Sequence, residues 1–142
     1  MTGMKRLSDL DFQTFDAPDL PLLDHGRNDK TWAFILEGRR EVMEPAVEAI
    51  RRFVNGHYPV PRALRFRSPH MLIVGVVDHV DDALEDWVMR HSTSTFLGGE
   101  VFHVLLVDTA SRRVVVRVEG GKVGVMRHLI FRPDRFGARL LG

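Results

Sequence analysis

The chain has 142 residues and a mass of 16.2 kDa, the size of one domain, and 44% hydrophobic against 27% charged residues is the composition of a globule. The longest apolar run, Met71 to Val77, falls well short of the roughly 20 residues that cross a bilayer, and no secretory signal is visible. With no cysteine, the chain can form no disulfide, zinc–thiolate site or iron–sulfur cluster, and a cytoplasmic protein is expected. Lys plus Arg is 20 and Asp plus Glu is 19, a net of +1 that argues against bulk nucleic-acid binding.

Residues 1–29 carry six Asp against Lys5, Arg6 and Arg27, and show no sustained hydrophobic period. They read as an extended acidic arm, with Phe12, Phe15, Leu20, Leu22 and Leu23 available to pin it on the core or on a neighbouring subunit. Residues 30–142 read as a single α+β domain. Thr31–Leu36 is rich in strand formers, although a helical first turn is the alternative. Val42, Ala46, Ala49, Ile50 and Phe53 form one stripe of a helix that should start regularly near Glu44, with Pro45 in its first turn and Asn55-Gly56 as a left-handed stop.

Ala63–Arg67 alternates like a short strand, and Met71–Val77 is apolar on both faces, as a central strand covered on both sides would be. Asp82 and Glu85 suggest a helix start, followed by Leu84, Trp87, Val88 and His91 on its buried side. Val101–Val107, Val114–Val118 and Val123–Phe131 then predict a three-stranded C-terminal meander, with a short terminal helix from Arg135 to Leu141. The order predicts a mostly antiparallel sheet with two main helices on one face. A ferredoxin-like sandwich fits it, or a roadblock-like or profilin-like one if residues 31–37 are helical.

Asp78, His79, Asp81 and Asp82 lie where the apolar strand enters a helix. Carboxylates and an imidazole suit a divalent cation, His79 oriented by Asp78 could act as a base, and helix capping is the plain alternative. His103 and His128 alternate with apolar neighbours on their strands and, joined by His70 or His79, could bind a metal or haem iron. Arg65, Arg67, Arg113, Arg117 and Arg127 could make a basic sheet face for RNA or single-stranded DNA, or simply keep sheets apart. No phosphate-loop, dinucleotide or nucleophile-elbow pattern occurs, so no cofactor is expected.

Residues 80–121, from Val80-Asp81-Asp82-Ala83-Leu84 through Val104-Leu105-Leu106-Val107 to Arg113-Val114-Val115-Val116, resemble the second half of a TPM domain. The resemblance implies an α/β fold, calcium binding, and roles as a phosphatase or a membrane-protein assembly factor; it assigns no site residues. The residues themselves favour a non-catalytic module that self-associates through its arm and binds an acidic protein partner through its C-terminal third. There, seven Arg and Lys122 outweigh Glu119 and Asp134. A small metal-dependent or His/Asp enzyme, or a nucleic-acid-binding sheet, are the alternatives.

Overall fold

The structure, a computed structural model, describes residues 3–29, 31–58, 69–91, 101–117 and 132–142. Its organising element is the strand Pro69 introduces, β3 (His70–Val77). A run that is apolar on both faces is stable only when both are covered, so it takes a central place in a five-stranded sheet. β2 (Thr31–Glu37) and β4 (Val101–Asp108) flank it, both parallel to it. Two short antiparallel edges complete the order β1-β2-β3-β4-β5: β1 (Asp24–Arg27) beside β2, and β5 (Arg113–Val115) beside β4.

Parallel neighbours need crossovers, and here helices supply them: α1 (Arg40–Asn55) joins β2 to β3, and α2 (Asp82–His91) leads from β3 towards β4. Strands added in one direction with crossovers of one hand put both helices on the same face. The first core accordingly joins Trp32, Phe34, Leu36, Met71, Ile73, Phe102, Val104 and Leu106 of the sheet to residues of α1 and α2. Gly75 makes this approach possible, since a Cβ there would lie 2.5 Å from the Met43 sulfur of α1. On the opposite face Ala33, Ile35, Leu72, Val74, Leu105 and Val107 are covered by a 3-10 turn (Leu7–Leu10), by Phe12, and by a third helix, α3 (Pro133–Leu141).

This corrects the expected fold. The sheet is mixed rather than mostly antiparallel, its two parallel pairings are its longest, and helices cover both faces. Neither the ferredoxin-like nor the roadblock-like or profilin-like arrangement describes it. β4 and β5 form the first hairpin of the expected meander; its third strand, Val123–Phe131, and the strand Ala63–Arg67 lie outside the described residues, and the chain ends in α3. Local patterning reports which residues face a core but not the direction of the neighbouring strand, and direction was the error. In α1 Ala46 and Ile50 are buried as expected, while Met43 and Val54 take the places read for Val42 and Phe53. Pro45 lies in the second turn rather than the first, on the exposed side of the helix. Gly56 ends the helix at a right-handed φ of −64°.

Of the two placements expected for the acidic leader, the structure shows the one on the core. Leu7, Leu10 and Phe12 are buried, and Phe12 meets Phe136 of α3 edge-on at 5.7 Å. Its strand β1 would expose outward-turned N–H groups, and the leader satisfies them locally. His25 N–H donates to Asp24 Oδ1 at 2.9 Å, whose Oδ2 accepts from Leu7 N–H. Arg27 and Gln13 exchange N–H···O bonds at 2.8 and 2.9 Å, and His25 Nε2–H donates to the Phe15 carbonyl at 2.6 Å. A Cβ at Gly26 would stand 2.6 Å from Phe12 Cβ, so only glycine lets the leader lie this close.

Phe12→Ala is therefore expected to cost about 3–5 kcal/mol in urea-induced unfolding, the toll of truncating a core phenylalanine. A loss within about 0.5 kcal/mol, typical of a surface position, would show that Phe12 is not packed in the core.

Candidate functional site

Ligands of open α/β sheets bind outside the carboxyl ends of the parallel strands. Here those ends are laced together by backbone. Gly38 N–H donates to Val76 O and Thr109 N–H to Val77 O, both at 2.9 Å, and the Thr109 hydroxyl reaches the same Val77 carbonyl at 3.3 Å. Asp81 Oδ1 accepts the Leu84 N–H at 2.7 Å and so caps α2, one residue before the Asp82 start read from the sequence. Asp108, only 6% exposed, accepts the N–H groups of Ala110 and Ser111 at 2.9 and 3.0 Å and shapes the β4–β5 turn. The Ser111 N–H above all, then the Ser111 hydroxyl, the Ala110 N–H and the charge of a protonated His79, hold the Asp108 carboxyl below its ordinary value against the effect of burial.

Asp78 and His79 sit in the exposed turn after β3, and Asp82 is the first residue of α2. Among the described residues no three His, Cys, Asp or Glu side chains come together as a metal ion would require. His70 and His103 share the second sheet face, diagonal to one another across β3 and β4. His103 is buried, His70 half-buried, and burial holds the His70 imidazole below its ordinary 6.5. His128, Arg65, Arg67 and Arg127 lie outside the described residues. Arg113 pairs with Glu85 of α2, and Arg117 is exposed just beyond β5.

Most arginines of the α1/α2 layer lie beside a carboxylate, the exposed Arg52 excepted. On the α1/α2 side, Arg39 lies near Glu37 and Glu41 (3.4 and 3.7 Å), Arg40 near Glu44 (3.0 Å), Arg51 near Glu48 (3.3 Å), and Arg90 pairs with Asp86. On the α3 side Arg132 pairs with Asp134 at 3.1 Å, but the exposed Arg135 and Arg139, one turn apart, have no acidic partner among the described residues. Lys5 and Arg6 are exposed in the leader that packs beside α3, and the Lys5 N–H donates to the Leu140 carbonyl at 2.7 Å. Arg112, at a left-handed φ of 62°, donates to the Gly3 carbonyl at 2.8 Å.

Sequence reasoning flagged the arginine-rich tail but not a groove bordered by Asp11, Thr14, Phe15, Arg27 and Asp29, because its walls come from segments with no periodic signal. No protein family, curated protein or solved structure matches the chain, and the TPM resemblance carries no further argument.

Two pH dependences follow. Because the Asp108 carboxyl titrates lower in the fold than in the unfolded chain, its stabilisation is complete above the ordinary 3.8 and is lost as pH falls through the folded value. Asp108→Ala should cost roughly 1 kcal/mol at neutral pH, since water can replace the bonds to its exposed turn. In urea unfolding its deficit relative to the unaltered chain should shrink in acid; a deficit independent of pH would disprove the assignment. His70 likewise titrates lower in the fold, so its contribution is complete above 6.5 and declines as pH falls below it. His70→Gln should flatten the stability curve in that range, and an unchanged slope would show that another group is responsible.

Proposed function

We propose that the chain is a non-catalytic cytoplasmic module that binds an acidic segment of a partner protein on the exposed face of α3. The observation that carries this reading is the pair Arg135 and Arg139, one turn apart on α3 and without an acidic partner among the described residues, whereas on the other layer Arg39, Arg40, Arg51 and Arg90 are paired and Arg52 stands singly. Helix stability does not account for both. Arg139, in the last turn, suits the helix dipole, whereas Arg135 stands in the first turn, where a cation is disfavoured by some 0.3–1 kcal/mol. Guanidinium groups also suit bidentate capture of carboxylates.

A protein partner is preferred to nucleic acid on two grounds. The chain is nearly neutral overall, and the aromatic residue of α3, Phe136, is buried beneath the helix rather than offered for base stacking. Of the strand-end residues that would support an enzyme, Asp81 caps α2, and Asp78, His79 and Asp82 are exposed and form no metal-binding group among the described residues. Self-association through the leader is not retained, because the leader packs on its own sheet.

Fluorescence anisotropy with a labelled peptide of alternating Asp and Glu tests the proposal. Saturable binding is expected, weakening with added salt and by about tenfold or more in the double variant Arg135→Glu/Arg139→Glu with its melting temperature unchanged. Binding that survives the double variant, or an oligothymidylate bound more tightly than the peptide, would overturn it.

A further inference from the structure

Beside the closed edge of the sheet, the segment from Asp11 to Phe15 and the turn after β1 enclose an open groove of about 630 Å³. That lies within the range of roughly 300–1,000 Å³ occupied by small-molecule sites. Three charges border it: Arg27, Asp11 and Asp29. Among the described residues none of the three forms an ion pair, so each is open to a ligand's charge.

The fold accounts for their separation. The Arg27 guanidinium is held over the indole of Trp32, its carbon 4.2 Å from the ring centroid, while the Arg27 backbone is clamped by Gln13. Asp11 is set by the left-handed residue that ends the 3-10 turn, at φ 65°, with its N–H bonded to the Leu7 carbonyl. The result is one cation and two anions standing apart around a polar recess, with the Thr14 side chain between them in sequence and the Phe15 ring at its margin.

We infer that this groove binds a small zwitterion of the free α-amino acid class. The carboxylate would lie against Arg27, whose planar fork accepts it bidentately, and the ammonium would face the carboxylates of Asp11 and Asp29. Two carboxylates to one guanidinium leave the groove with a net charge of −1, so a simple carboxylate is a poor occupant, and the guanidinium repels a bare cation. A ligand carrying both charges answers both conditions. This site lies at β1, is independent of the α3 face, and stands or falls separately from it.

The test uses the unaltered chain and isothermal titration calorimetry with glycine, L-serine and L-glutamine, each beside its N-acetyl and α-amide analogue. N-acetylation removes the ammonium and amidation removes the carboxylate, so neither comparison depends on a variant folding. At least one amino acid is expected to bind saturably, with both of its analogues and the Arg27→Ala variant about tenfold or more weaker, the effect of losing one charge-assisted contact. The absence of saturable binding up to about 10 mM, analogues that bind equally, or full affinity in Arg27→Ala would each overturn the inference.

Discussion

The constraint on which the structure depends is that β3 has no polar face. Met71, Ile73 and Val77 turn to one side and Leu72 and Val74 to the other, all buried, and each such side chain is worth about 1.5–3 kcal/mol only while water is kept away. Two neighbours must therefore occupy its edges and two layers its faces. The crossover helices α1 and α2 provide one layer as a consequence of connecting parallel strands. The other is built, among the described residues, from the leader and α3.

That second layer explains the leader and the tail together. The Lys5 N–H bonds the Leu140 carbonyl, Phe12 touches Phe136, and the Arg112 guanidinium reaches back to the Gly3 carbonyl. An acidic segment and a basic one, at opposite ends of the sequence, thus come to lie side by side. Their contact is apolar and backbone in character rather than ionic: among the described residues no carboxylate of the leader pairs with an arginine of α3. The charges of the two segments remain turned to solvent, which is why the asymmetry visible in the sequence persists as a property of the surface.

The parts of this architecture differ in how plainly they were written. β3 was legible because its apolar run is self-sufficient evidence of two covered faces, and Leu84, Trp87 and Val88 were legible because their spacing is helical. β1 was not: Asp24-His25-Gly26-Arg27 contains no strand-forming residue and is extended only because β2 offers it a ladder and Phe12 needs the space above Gly26. Parallel pairing was illegible for a related reason, since no residue in Met71–Val77 records the direction of its neighbours. Among the candidate site residues a helix cap was readable, although the sequence pointed to Asp82 and the cap is Asp81. The groove beside Arg27 was not, because Asp11 and Arg27 are brought together by the Gln13–Arg27 pairing and not by any spacing along the chain.

The same reasoning bears on where function can reside. At the carboxyl ends of β2, β3 and β4, where a sheet of this kind commonly gathers its ligands, the polar groups with the best-defined geometry are already committed to the fold. Asp81 holds the start of α2, Asp108 holds the β4–β5 turn, and Thr109 and Gly38 extend the ladders. A side chain that must keep its bond for the strand end to hold its shape is poorly placed to exchange that bond for a substrate. Charges without an ion pair among the described residues lie also on the second layer and at the margin it seals: Arg135 and Arg139 on α3, and Arg27, Asp11 and Asp29 beside β1. Helix and edge geometry are satisfied there by backbone and apolar contacts, which leaves those side chains available for recognition.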